Sequence, residues 1–581
     1  MKRTISIVVA LLMVLCLFAA CGEKKEKEKN GTTTSDQTGT TTTTSPSTTT
    51  QGSGSEASSG STAGVSTTTT SAVDLSTVEE LHPSDTAVLN VATSQEPEAL
   101  TQPGHAFSAG MLAAQFFFEQ LLFWNSDTNS PQPMLATEWE WVEDTVLRLK
   151  LRDDVTSIAG DPFTANDVVF TWNLNHETTT LASYYSIFDY EKTRAVDDYT
   201  VEIALQRPYP FLLIDLAHTA YDIAVQKSYE AIDEPMYDPS SGTGPYKLVK
   251  WHQGQYVEME RRDEYWGDLP YYKYINFWTV TDSATRVMGI EAGDYDIATR
   301  PTISQAVAAQ NNPELAVWKI ASAGRCANFV LNSDHEPLNS KEARQAIALA
   351  IDYDSIVSIA ASGQAEVSDS LYAKFHSYYC PPSEGSPNYI RYSLDEAKQK
   401  LVEGGFPNGF TVNLKYRTSD DLTVKNAEQL QYMLREAGIT VELVPQDSAA
   451  WYADMRAGDW DTHLSVGGNP NPKRNINTLD GHRITHAANT GTCGEKWQLE
   501  VPGGYEYVES IIDGCLYTVD EAKSREYFQQ LQDILREYVP MVNVCIPYSV
   551  LITSADIVNI GLDSMGSELL VSAYPQEYIS G

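Results

Sequence analysis

From about Asp85 to the C-terminus, strand-like and helix-like runs alternate, and that alternation restricts the chain to an α/β architecture. "AVLNVAT" reads as a strand, and "AFSAGMLAAQFFFEQLLFW" reads as a largely buried helix because its apolar residues run on nearly all sides. "TVLRLKLR" alternates with period two, the pattern of a half-exposed strand. Thr164 stands three residues before Asp167 at the head of "TANDVVFTW", a capping signature. "NSKEARQAIALAID" places Ala343, Ala346, Ile347, Ala350 and Ile351 on one helical face. Ser393 with Glu396, and Thr518 with Glu521, read as capping boxes of two further helices, the first stopped by Gly404 and Gly405. "GITVELV" and "DTHLSV" read as strands. Such an order predicts largely parallel sheets.

Before Asp85 the text is of another kind. "MKR" is a basic start, and Ile5 to Ala20 is an apolar run shorter than the roughly 20 residues of a membrane span. "LFAAC" then puts two small residues before Cys21, as a leader cleavage site requires. A cysteine in that place resembles the lipobox of bacterial lipoproteins, with Phe18 where the box usually has Leu. The resemblance implies lipidation of Cys21 and anchoring to the outer side of the cell membrane. An ordinary signal peptide cut nearby gives the same side. Residues 22–84 follow as a mixed-charge run and a Thr/Ser/Gly-rich tract that cannot bury a core, so they read as a disordered tether.

Composition bounds the function. At 581 residues the chain is long enough for about three to four domains. A formal net charge of -38 repels a phosphate backbone, so no nucleic-acid partner is expected. Beyond Cys16 and Cys21 there are Cys326, Cys380, Cys493, Cys515 and Cys545, an odd number without a CxxC pair, and the spacing leaves any pairing open. No phosphate loop, GxSxG elbow or HExxH is present. His482 and His486 stand four apart with Cys493 beyond, but glycines flank them as in a loop; no metal and no cofactor are expected.

The strongest signal is a set of separated segments in a fixed order. "DPFTANDVVFTW", "SGTGPYKLVKW", "RRDEYWGDLP", "EARQAIALAID" and "MRAGDWDTHLSVGG" succeed one another from Asp161 to Gly468. The set resembles the family 5 extracytoplasmic solute-binding proteins of ABC transporters, the dipeptide- and oligopeptide-binding group, over nearly the whole chain after Asp85. The resemblance implies a two-lobed periplasmic-binding-protein-like α/β fold with a hinge and an extra subdomain on the first lobe. Lobe I would span 85–325, with the subdomain at about 118–243; lobe II would span 326–545; and 546–581 would return to lobe I. It implies capture of a small solute between the lobes, delivery to separate permease and ATPase subunits, and no catalysis.

The same resemblance names candidate ligand-binding residues. Peptide-binding relatives carry an Asp after the strand matching "DTHLSV", where it meets the peptide ammonium. Here "GGNPNPKRN" offers Gly468, Asn469 and Asn471 instead. Glu96 or Glu98 in "SQEPEALTQPG" could take the ammonium. Arg417 stands near where a ligand carboxylate is held. Arg325 and Asn328 in "GRCANF" lie at the crossing into lobe II, and Trp497 is expected on the second lobe's cleft face. A short peptide is the expected solute, with a cello- or xylo-oligosaccharide as the alternative, since Tyr and Trp faces suit sugar rings. A secreted glycoside hydrolase on a stalk is the rival class; it would need two acids roughly 5–10 Å apart, and nothing marks such a pair.

Overall fold

A computed structural model describes residues 82–101, 108–125, 130–176, 182–320, 325–374, 376, 378–468, 476, 479, 493–562 and 568–575. The leader with Cys21, nearly all of the tether, and Asn469, Asn471, His482 and His486 lie outside the described residues.

Two mixed sheets carry the fold. The first has seven strands, in the order Leu315–Ile320, Ser549–Ser554, Ile297–Thr299, Val88–Thr93, Tyr274–Thr279, Tyr256–Arg261, Tyr246–His252. The second has six, in the order Ala365–Glu366, Met541–Pro547, Arg325–Leu331, Thr462–Gly468, Thr411–Arg417, Thr440–Gln446. Parallel pairing occurs only around Val88–Thr93 in the first and Thr411–Arg417 in the second, among the described residues. The expected parallel sheets are therefore corrected to mixed ones. Helix–strand alternation hid this, because most antiparallel partners are far apart in sequence: Arg325–Leu331 pairs with Thr462–Gly468 on one side and Met541–Pro547 on the other.

The chain passes between the sheets at two places. Ile320 ends a strand of the first sheet and Arg325 begins one of the second; Pro547 ends the second and Ser549 re-enters the first, with Tyr548 between. These sheets define lobe I and lobe II. A third, wholly antiparallel sheet of Ala136–Glu143, Val146–Leu151, Thr200–Ala204 and Arg194–Asp197 falls within 118–243. Its helix Ala165–His176 buries Trp172 against Tyr185, Phe188 and Tyr221.

Period-two and helical patterns are realised where burial decides. Leu147, Leu149 and Leu151 of "TVLRLKLR" point inward, and the alanine face of helix Lys341–Leu349 is buried. Asp167 Oδ2 accepts from the Thr164 amide at 2.6 Å. Two capping boxes are corrected. Asp520, not Thr518, caps helix Glu521–Tyr538, its carboxylate accepting from the Lys523 amide at 2.9 Å. Ser393 makes no side-chain cap bond; its hydroxyl donates instead to Glu396 Oε1 at 3.1 Å, a carboxylate that the Arg391 guanidinium also holds at 2.6 Å. All five described cysteines are buried, and none is in a disulfide.

The long helix expected over "AFSAGMLAAQFFFEQLLFW" is a helix at Ser108–Ala114, a turn, and a strand at Leu122–Asn125. The helix stops because two carbonyls are claimed elsewhere: Phe117 O accepts from the Gly244 amide at 2.8 Å and Phe116 O from Tyr246 at 3.0 Å. This explains "SGTGPY". A Cβ on Gly242 would stand 2.1 Å from Phe117 O, and one on Gly244 2.6 Å from Phe117 C. Close backbone approach, not turn conformation, requires these glycines.

Beside that contact lies Glu119, which is 1 % exposed. Tyr265 Oη donates to its Oε1 at 2.6 Å and Trp266 Nε1 to its Oε2 at 2.8 Å, so "YWG" serves as the clasp of a buried carboxyl. Burial raises the Glu119 carboxyl to about 7; the Tyr265 and Trp266 hydrogen bonds and the nearby Arg262 charge offset only part of that.

Candidate functional site

Strand direction locates a cleft. In lobe I, Val88–Thr93, Tyr274–Thr279 and Ile297–Thr299 run parallel, and Leu315–Ile320 shares their sense because both it and Ile297–Thr299 oppose Ser549–Ser554. All end at the edge from which the chain leaves through Ile320. In lobe II, Thr462–Gly468, Thr411–Arg417 and Thr440–Gln446 are parallel, and Gly468 pairs with Arg325, where the chain enters. The five Cα–Cα steps from Ile320 to Arg325 span at most about 18 Å, so the carboxyl ends of both strand sets lie on the side of the crossings. Open α/β sheets bind ligands outside such ends.

Glu96 belongs to the lobe I edge, in the loop after Thr93. Its Oε1 accepts from Trp251 Nε1 at 2.8 Å and from the Gly254 amide at 2.9 Å, so the adjacent hairpin fixes the carboxylate. Both bonds use one oxygen. Glu98 follows in the same loop, half-buried. Asn90 connects this edge to its neighbours: its Oδ1 accepts from Trp278 Nε1 at 3.2 Å, and its amide donates to Asp296 Oδ2 at 2.6 Å. Burial, with the Asp556 charge adding to it, pushes the Asp296 carboxyl up.

Arg417 ends its strand on the lobe II edge. Its guanidinium lies 5.1 Å from the Trp451 ring centroid and 5.7 Å from that of Tyr452, on helix Ser448–Ala457. The rings hold the cation without neutralising it. Asn328 faces away from the lobe II core that takes Ala327, Phe329 and Leu331, and lies in register with Ser465 and Asn543. No hydrogen bond holds the Asn328 amide or the Ser465 hydroxyl among the described residues. Arg325 and Gly468 are backbone partners at the strand ends.

Trp497 is a correction. It is 0 % exposed, in the core with Ile511, Ile512 and Cys515, and its amide donates to Ser333 Oγ at 3.2 Å. Its short helix Lys496–Glu500 docks on helix Gly504–Tyr517, and the indole fills that joint instead of facing the cleft.

Two features escaped the sequence reading. His252, Tyr256 and Trp278 stack in series at the lobe I edge, centroids 4.3 and 4.2 Å apart, because their antiparallel strands bring them into line. Tyr548, at the second crossing, donates its hydroxyl to Glu366 Oε1 at 2.8 Å and its amide to Gln364 O at 3.0 Å. An aromatic between two strand runs was the available signal.

The family model described as "Bacterial extracellular solute-binding proteins, family 5 Middle" matches residues 130–484, more than half of the chain. The chain belongs to this family. Among curated relatives of this solute-binding protein is a glutathione-binding protein of Pectobacterium atrosepticum, 27% identical over 362 residues that cover 60% of this chain and 67% of the relative. Another is a peptide transport periplasmic protein of Salmonella typhimurium, 25% identical over 460 residues, covering 74% and 81%. Among solved structures, a dipeptide-binding protein of a Pseudoalteromonas species in complex with Met-Leu superposes with a TM-score of 0.70 at 19% identity, covering 84% of this chain and 100% of that one. The NikA protein of Brucella suis in complex with Fe(III)-EDTA superposes with a TM-score of 0.71 at 22% identity, covering 84% and 99%. These likenesses establish the two-lobed fold for this family member.

Proposed function

We propose that this extracellular solute-binding protein captures a short peptide in the cleft between its lobes and presents it to the permease of an ABC transporter. The carrying observation is the pair of opposed charges on opposite lobes at the two carboxyl edges. Glu96, with one oxygen fixed by Trp251 and Gly254, faces the task of meeting an ammonium. Arg417, seated on Trp451 and Tyr452, suits a carboxylate. Asn328 and Ser465 supply polar groups for the peptide main chain; Glu98, Arg325, Gly468, Asn469 and Asn471 are further candidates by the family resemblance alone. Relatives named for glutathione and peptide support the same solute class.

Lipidation at Cys21 anchors the protein outside the membrane in this reading, and the tether holds the lobes off the surface. Among the described residues no helix is long and apolar enough to cross a membrane. The relatives are transport proteins, and the role proposed here involves no covalent chemistry.

The His252–Tyr256–Trp278 stack favours a second reading, an oligosaccharide. A thermal-shift screen separates the two, because a solute that prefers the folded state raises the melting temperature. Short peptides with free ends are expected to stabilise the protein. N-acetylation should weaken them in the native protein but not in Glu96→Gln, and C-amidation should weaken them in the native protein but not in Arg417→Met. Stabilisation by cello- or xylo-oligosaccharides with no response to peptides refutes the peptide assignment, and turnover of any sugar refutes the transport role.

A further inference from the structure

The lobes also meet away from the crossings. The segment "QRPYPFLL", residues 206–213 of the small antiparallel subdomain, reaches lobe II. The Arg207 guanidinium lies 3.5 Å from the ring centroid of Tyr517, the last residue of helix Gly504–Tyr517. Phe211 packs edge-on against Tyr378 at 5.4 Å and Phe528 at 6.4 Å, and those two rings pack on each other at 4.5 Å. Phe211 is 4 % exposed and Phe528 is 0 % exposed.

Both sides of this contact are set in advance. Pro208 and Pro210 restrict the backbone on either side of Tyr209. The Tyr209 hydroxyl donates to Asp215 Oδ2 at 2.8 Å, and the Asp215 amide donates to Phe211 O at 3.1 Å, so the segment folds onto itself. On lobe II, the Tyr378 carbonyl accepts from Gln532 Nε2 at 2.8 Å, and its amide donates to His376 Nδ1 at 3.0 Å. No strand of the subdomain pairs with the lobe II sheet among the described residues. Among the described residues the contact consists of side chains alone, and the chain goes from the first sheet to the second after Ile320 and returns at Tyr548. A rotation about those crossings would part the rings without breaking a sheet ladder.

We infer that Arg207 and Phe211 form a latch that holds the lobes closed in the absence of solute. Part of the closing free energy then comes from the protein itself. A solute meets a cleft whose competent form is already populated, and its apparent affinity rises in proportion to that population. The latch is independent of solute class, so it stands whether the ligand is a peptide or a sugar.

Small-angle scattering of the unliganded full chain tests this. Phe211→Ala is expected to raise the open-to-closed ratio by at least about tenfold, the scale of one lost aromatic pair alone. The radius of gyration should rise, Phe211→Leu should restore most of the closed form, and Arg207→Ala should open the protein by a smaller step. Hydrogen exchange should quicken in 371–374 and 511–517. Should Phe211→Ala fail to fold, Arg207→Ala and Tyr517→Leu carry the test, because neither side chain belongs to a fully buried core. Separated lobes in the unliganded native protein would overturn the latch. Unchanged scattering in these variants, even with a lowered melting temperature, would overturn it as well.

Discussion

Replacing Glu119 by Gln should remove a pH dependence of stability that the native protein carries. The Glu119 carboxyl titrates at about 7 when folded, against 4.5 for the ordinary group, because burial opposes its ionisation. Between pH 4.5 and about 7 the folded state therefore holds a proton that the unfolded state has released. Stability falls as pH rises through that window; the favourable contribution is complete below pH 4.5 and lost above about 7. The gap corresponds to about 3 kcal/mol at 1.36 kcal/mol per pH unit. Glu119→Gln does not titrate, and its amide nitrogen can donate to Tyr265 Oη while its oxygen accepts from Trp266 Nε1, the arrangement open to the protonated carboxyl as well. Urea unfolding from pH 4.5 to 8.5 should show the native protein losing about 3 kcal/mol relative to the variant across the window, with a flat difference above it. A difference infrared spectrum should show a protonated carboxyl at pH 5 that disappears with a midpoint near 7. A stability difference independent of pH, or one that favours the native protein as pH rises, refutes the reasoning.

Further outcomes follow from other contacts. Gly242→Ala drives a Cβ into Phe117 O and should lower stability by about 3 kcal/mol in a melting experiment, and Gly244→Ala should behave alike. Asp520→Ala should cost about 1 kcal/mol of stability, while Thr518→Ala should cost little, since only the first removes a cap. Tyr548→Phe removes the bond to Glu366 at the crossing; hydrogen exchange at Ala365 and Glu366 should quicken by about fivefold, for a loss of about 1 kcal/mol.

Legibility in the sequence followed the range of the interactions. Local patterns carried through: the alternation in Val146–Leu151, the alanine face of Lys341–Leu349 and the Thr164–Asp167 cap depend on neighbours a few residues away. Sheet sense did not, because Arg325–Leu331 takes partners from Thr462–Gly468 and Met541–Pro547. The helix expected to run through Phe116 and Phe117 ended early for the same reason: its carbonyls are taken by Gly244 and Tyr246, over a hundred residues later. At the candidate site, Glu96 stands in the loop after Thr93 and Arg417 at the end of Thr411–Arg417, and both remain proposals. Trp497 lies in a core instead, since an indole's apolar surface serves a core as well as a sugar, and only packing decides between them.

The five buried thiols have a practical consequence. Burial pushes the Cys326 thiol up to about 12 and raises the Cys380, Cys493 and Cys515 thiols as well, so none of these four presents a reactive thiolate at neutral pH, and Cys545 is fully buried. This leaves the two lobes chemically silent toward maleimides, so a single cysteine introduced at the rim beside Glu96 or Arg417 would be the one labelled position there. A dye at that position would report the filling of the cleft as a change in fluorescence, and make the protein a reagentless sensor for its own solute.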